Sequence, residues 1–233
     1  MKIEKFTLNS LYDSLPLSCC AYLPEGEPKG IFQIVHGMCD YKERYDDFMR
    51  FLAENGLIAA AHDHRGHGKS VKEEADLGWF GDKKARAVVE DAVLVTRKLK
   101  ERYPNLPVTL FGHSMGSMVV RCYIQNYDDE IDRLIVCGSP SKNPFAAAGV
   151  AMAKSVALVK GERHRSDTLA QLSTGNGDKK FFMDNLQLEE SEYALIRDPQ
   201  RGSCLYKCGN ERYLLQVQAP EYKQAIFGTA GGR

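Results

Sequence analysis

The sequence has no surplus of charge of either sign: 31 Lys and Arg residues stand against 31 Asp and Glu. A chain that neutralises a phosphate backbone carries a basic excess, so nucleic-acid binding is not expected. An acidic tail is equally absent. Long hydrophobic runs are missing too. The longest, Phe145 to Ala153, is broken by Lys154, well short of the roughly 20 apolar residues that cross a bilayer. The opening Met1-Lys2-Ile3-Glu4-Lys5-Phe6 is charged and holds no apolar core of a secretory signal. The seven cysteines (Cys19, Cys20, Cys39, Cys122, Cys137, Cys204, Cys208) are odd in number and follow no framework spacing. Reduced thiols in a cytoplasmic setting are the expectation. Cys204 and Cys208 lack a second pair or a following His, so a zinc site is not expected. With 233 residues, of which 43% are hydrophobic and 27% charged, a globular domain with a possible insertion remains.

What is present is an alternation of strands and helices. Ile3 to Leu8 and Leu17 to Leu23 read as an N-terminal hairpin. Gly30 to Val35 and Leu57 to Ala61 are short apolar runs suited to strands covered on both faces. Val108 to Phe111 and Leu134 to Cys137 add two more strands. Helices are expected over Arg44–Asn55, Lys83–Tyr103 and Met115–Tyr127. In the second, Val88, Ala92, Val95 and Leu99 recur on one face and Pro104 closes it. This order implies an α/β fold with a mostly parallel sheet and helices on both faces. Chemistry in such sheets gathers where strands end in loops at their carboxyl edge. Three polar, glycine-bearing segments do so here: His36–Asp40, Asp63–Ser70 and Gly112–Gly116.

Gly112-His113-Ser114-Met115-Gly116 fits G-x-S-x-G between an expected strand and an expected helix. That setting describes a nucleophile elbow, in which a tight turn lifts the serine out of the chain. Gly112 and Gly116 are required because side chains there would collide with their neighbours. Acyl transfer also needs donors aimed at an oxyanion. One is the amide after the nucleophile, Met115; the other lies in the loop after His36-Gly37, and Met38 is the candidate. The loop Asp63-His64-Arg65-Gly66-His67-Gly68-Lys69-Ser70 offers two imidazoles with no further ligand run, which favours packing over metal binding. It lacks the G-x4-G-K spacing of a phosphate loop. No motif calls for a cofactor.

Taken in order and spacing, His36-Gly37, Asp63-x-Arg65-Gly66-His67-Gly68-x-Ser70 and Gly112-His113-Ser114-Met115-Gly116 resemble the α/β-hydrolase superfamily. Within it they are most similar to the monoacylglycerol lipase / lysophospholipase branch, also called serine aminopeptidase-like. The resemblance covers residues 1–140 closely and about the next 50 loosely. It implies Ser114 as an acyl-accepting nucleophile, an oxyanion hole of the Met38 and Met115 amides, and a small-molecule ester or lipid substrate. It divides the chain into a hydrolase core over 1–140, a helical cap over 141–200 and an atypical tail over 201–233. The apolar stretch Phe145–Val159 then suits a cap meeting lipid chains at a membrane surface, although an ordinary core-facing helix has the same pattern. Thioester, epoxide or peptide cleavage on the same fold stays open.

A serine hydroxyl needs an oriented base, and in this superfamily the order is Ser, then Asp or Glu, then His. The only His after Ser114 is His164, in the basic stretch Glu162-Arg163-His164-Arg165. No apolar run after residue 138 ends in Asp, and Tyr213–Val217 is followed only by Glu221. A truncated or frame-altered product is therefore expected, with a catalytically silent hydrolase-like domain that binds a hydrophobic ligand or partner as the alternative. The strand ending at Cys137 would then be left as an unpaired edge, and self-association is the expectation.

Overall fold

The computed structural model describes residues 1–82, 84–139, 146–166, 168–169, 189–197, 203–208 and 211–216. The chain divides into two units, Met1–Lys142 and Asn143–Arg233.

The first unit is built on six strands: β1 (Lys2–Asn9), β2 (Pro16–Leu23), β3 (Ile31–Val35), β4 (Ile58–His62), β5 (Val108–His113) and β6 (Arg133–Cys137). Their order across the sheet is β1-β2-β4-β3-β5-β6. β1 and β2 form the antiparallel hairpin, and β2 runs antiparallel to β4. The other pairings, β4 with β3, β3 with β5 and β5 with β6, are parallel. Parallel neighbours need long crossovers, and the helices α1 (Asp46–Glu54), α2 (Lys84–Arg102) and α3 (Met115–Tyr123) supply them.

Side chains alternate across each strand, so β3 and β4 feed two cores at once. On one face Phe32, Ile34, Ala59 and Ala61 pack under α1 through Met49, Leu52 and Ala53. On the other, Ile31, Ile58, Ala60 and Val108 meet Val95 and Leu99 of α2. There too, Val35 and Leu110 meet Val88 and Ala92 of α2 and Val119, Val120 and Tyr123 of α3. Each fully buried Leu, Ile or Val contributes about 1.5–3 kcal/mol. Gln33 is a polar residue in the middle of β3. Its amide donates to the Ala92 carbonyl at 3.0 Å and accepts from the Thr96 hydroxyl at 2.7 Å, which fixes α2 against the sheet.

β6 ends the sheet among the described residues, and Ile135 and Val136 are 42% and 40% exposed there. In the second unit α4 (Ala146–Lys160) is exposed along most of its length, including Val150, Met152, Leu158 and Val159. α5 spans Glu190–Arg197, and β7 (Ser203–Cys208) pairs antiparallel with β8 (Glu211–Gln216). β8 falls where the sequence suggests a strand near Tyr213–Val217; Glu221 lies outside the described residues. No described helix is long and apolar enough to cross a membrane.

Candidate active site

β5 runs into α3 with a single residue, Ser114, between them. Its backbone sits at φ 53°, ψ −117°, a conformation that costs a non-glycine residue about 1–3 kcal/mol. The surroundings hold it there. The Ser114 amide donates to the Cys137 carbonyl of β6 at 2.9 Å, and its carbonyl accepts from the Ser117 amide at 2.9 Å and from the Ser117 hydroxyl. The flanking glycines let three segments close in. A Cβ on Gly116 would lie 2.0 Å from the Val35 carbonyl oxygen, and one on Gly112 would lie 2.5 Å from the Gly116 carbonyl oxygen. Ser114 is half-buried at the head of α3. Met115 is the first residue of that helix, so its amide has no acceptor within the helix.

The loop after β3 reaches the same point. A Cβ on Gly37 would lie 3.2 Å from the Ser114 Cβ, so the backbone before Met38 is packed directly on the elbow. Cys39, two residues on, adopts φ 55°.

The other residues of the rim turn inward. His36 is fully buried; its Nε2 accepts the His64 amide at 2.9 Å, which leaves Nδ1–H to donate to the Gly37 carbonyl at 2.7 Å. Burial holds its pKa below the usual imidazole value, and both nitrogens are occupied. Asp63 is fully buried and accepts from the Lys42 amide (2.7 Å), the Lys42 ammonium (2.6 Å) and the Lys69 amide (2.8 Å). Gly68 must be glycine for this: a Cβ there would lie 2.4 Å from the Asp63 carboxyl carbon. Arg65 is buried and donates to Asp91 (2.7 Å), to Ser10 (2.8 Å), to Asp13 (3.1 Å) and to the Phe80 carbonyl (3.1 Å). His67 lies 3.1 Å from the Arg65 carbonyl through Nδ1 and stacks on Phe80.

Thus Gly37, Ser114 and the Met115 amide come together, while His36, Asp63, Arg65 and His67 are spent on one another and on the scaffold. Burial pushes His62 down to about 3 and His64 well below the usual value. Both rings are therefore neutral, and among the described residues no group of three side chains is placed to hold a metal. His164 is an exposed residue of the second unit, after α4. Among the described residues no imidazole is hydrogen-bonded to the Ser114 hydroxyl. Two participants escape the sequence, buried Lys42 and half-buried Tyr45, while Asp40 closes the expected His36–Asp40 segment. The Tyr45 hydroxyl lies 3.1 Å from His113 Nδ1.

A strand, a strained serine, a helix and an adjoining glycine loop are the parts expected of a serine hydrolase. The pattern of the family described as serine aminopeptidase, S33, matches residues 26–193. The chain belongs to this S33 family. Like the family's motifs, its sequence relatives lie in the monoacylglycerol lipase / lysophospholipase branch. It is 35% identical to the monoglyceride lipase of Homo sapiens over 107 residues, 46% of this chain and 34% of that protein. It is 29% identical to the monoacylglycerol lipase of Mycolicibacterium smegmatis over 50% of this chain and 40% of that protein. The S33 chain therefore spans only about a third to two-fifths of the length of these curated relatives. Among solved structures, a thermostable carboxyl esterase from Bacillus coagulans superposes with a TM-score of 0.66 at 27% identity, over 85% of this chain and 66% of that one. A monoglyceride lipase variant from Saccharomyces cerevisiae gives a TM-score of 0.55 at 21% identity, over 68% of this chain and 52% of that one, and bears on the fold alone. The fold is that of the α/β hydrolases.

Proposed function

We propose that this S33 chain is a serine hydrolase of carboxylic esters, with acylglycerols or lysophospholipids as the substrate class. One observation carries the reading: Ser114 is held at positive φ between β5 and α3, with Gly37 of the β3 loop against it. In the proposed reaction the Ser114 oxygen attacks the ester carbonyl and its proton passes to a base. The carbonyl oxygen gains charge beside the Met38 and Met115 amides, and the alcohol leaves with a proton. Water then cleaves the acyl-serine. The names of the relatives support the substrate class. The exposed apolar residues of α4, Val150, Met152, Leu158 and Val159, support a cap over residues 141–200 that meets acyl chains.

A fluorophosphonate probe tests the nucleophile. The expected result is labelling of the wild-type chain that disappears in Ser114→Ala. Labelling that survives the substitution overturns it. A second reading, a silent hydrolase-like domain that binds a hydrophobic ligand, is favoured by the lack of a described imidazole bonded to Ser114. It is supported if the folded wild-type chain takes no label and still retains a fatty-acyl ligand.

A further inference from the structure

Beside Ser114 runs a hydrogen-bonded chain that none of the motifs announces. Asp40 sits on the loop after β3, Tyr45 ends the 3-10 turn Lys42–Tyr45, and His113 is the last residue of β5. The Tyr45 hydroxyl lies 3.1 Å from Asp40 Oδ2 and 3.1 Å from His113 Nδ1. The other oxygen of Asp40 accepts the Tyr41 amide at 3.0 Å and faces Arg44 at 3.8 Å. The His113 ring lies between two backbones. A Cβ on Gly37 would be 3.6 Å from Nδ1, and one on Gly138 would be 3.7 Å from Nε2.

Proton counting fixes the direction of these bonds. A carboxylate only accepts, and a phenol has one proton. The Tyr45 proton therefore goes to Asp40, and the Tyr45 oxygen must accept from His113. Burial, and the Asp40 carboxylate after it, push the Tyr45 phenol upward, so that proton stays. His113 is thereby held as the Nδ1–H form, with the Nε2 lone pair facing the loop after β6.

From this we infer that Asp40 and Tyr45 are positioning residues: through His113 they clasp the Gly37–Met38 loop to the elbow and set the distance between its amide and Ser114. The inference rests on the hydrolase reading for its purpose. Its geometry stands apart from it. The clasp joins the segment on each side of Met38 to the residue before Ser114. Misplacing reacting groups by about 1 Å costs on the order of a hundredfold in rate.

The test has two readouts on the full chain. In a 15N–1H spectrum of the imidazoles, wild-type His113 is expected as Nδ1–H. Asp40→Asn places an amide that can donate to Tyr45; the phenol is then free to donate to Nδ1, and His113 switches to Nε2–H. Tyr45→Phe keeps the ring packing, removes the acceptor and abolishes the Nδ1–H preference. The rate of Ser114 labelling by the fluorophosphonate probe falls about ten- to a hundredfold in Tyr45→Phe, at an unchanged melting transition. A role limited to packing would not move the tautomer. Wild-type His113 found as Nε2–H, or a Tyr45→Phe chain with unchanged tautomer and labelling, overturns the clasp. A wild-type chain with the Nδ1–H tautomer that takes no label overturns the nucleophile reading and, with it, the clasp's catalytic role. The two failures are told apart by which signal is missing.

Discussion

The Asp63–Ser70 loop and the Ser114 elbow follow parallel strands of one sheet, are rich in glycine, and carry residues that read as chemistry. In the first, the buried charges are neutralised within the scaffold, Asp63 by Lys42 and Arg65 by Asp91 with Asp13 beyond it, and only Lys69 reaches solvent. In the second, the strain is in the backbone, and Ser114 as a residue is half-buried. A polar group that has used its hydrogen bonds on the scaffold is committed to it; one held in place by its backbone alone is available to a ligand. Residue type does not separate the two loops. Partnering does.

The sharpest way to break this contrast is to remove the hydroxyl. Ser114→Ala is expected to lower p-nitrophenyl ester turnover at least about a thousandfold, while the melting temperature shifts by only a few degrees. An equal loss of stability would place Ser114 with the scaffold residues. Next in size is the glycine that lets the elbow form. Gly116→Ala drives a methyl onto two carbonyl oxygens, 2.0 Å and 2.6 Å away. We expect more than about 4 kcal/mol of destabilisation, read as loss of soluble, cooperatively unfolding protein. Gly78 is the control. It also has a positive φ, 79°, but a Cβ there meets nothing within 4 Å. Gly78→Ala should cost only about 1–2 kcal/mol, the strain alone.

The sequence showed the elbow because a strand, a glycine pair and a helix are each local. The same holds for β1 to β6, whose ends fall within a residue or two of the hydrophobic runs. Two helices depart from the expectation: α3 stops at Tyr123, short of Tyr127, and α1 starts late. Arg44 looks like its start, yet residues 42–45 wind into a tighter turn and the helix begins at Asp46. The cause is tertiary: Lys42 is drawn to Asp63 and Tyr45 to Asp40 and His113. No spacing rule reveals a buried lysine or a tyrosine that bonds across 68 residues. For the same reason Asp63, Arg65 and His67 look like rim chemistry in the sequence, since their partners Lys42, Asp91 and Phe80 lie far along the chain.

The scaffold side of the comparison sharpens through Arg65. Arg65→Met leaves Asp91 buried beside a lost guanidinium, with the side chains only 1% and 2% exposed. Breaking such a pair costs about 3–5 kcal/mol, measurable as a lower urea midpoint at neutral pH. Arg65→Met with Asp91→Leu should recover part of the loss, because no lone charge then remains. If the single variant lost esterase activity without losing stability, the loop would belong with the elbow.

Acid tests the neutral imidazoles. His62 and His64 are held below the unfolded value, His62 at about 3, chiefly by burial. The folded state therefore refuses protons that the unfolded chain takes up. Stability is complete above pH of about 6.5 and falls as pH drops from there toward 3. Each ring contributes about 1.4 kcal/mol per pH unit in that window. The two together predict a loss of about 3 kcal/mol between pH 7.5 and 5.5, and His62→Phe should remove about half of it. The carboxylates enter later: salt-bridged Glu43 is lowered to about 2 and destabilises only below pH of about 4.5. A stability curve flat to pH 5 would mean that the imidazoles are charged in the fold.

The smallest effect is expected where a pair looks like those of the loop but is wet. Lys69 bridges Glu43 at 2.9 Å with its side chain 68% exposed. Solvent screens such a pair to under about 1 kcal/mol. Lys69→Met should move the urea midpoint little, and 0.5 M salt should erase most of what remains. Asp63→Asn, one hydrogen bond away from Lys69 in the same loop, removes a fully buried charge and leaves the buried Lys42 ammonium with Glu43, 3.2 Å away, as its one carboxylate partner. The ratio of the two losses measures how far burial, rather than charge, holds this loop together.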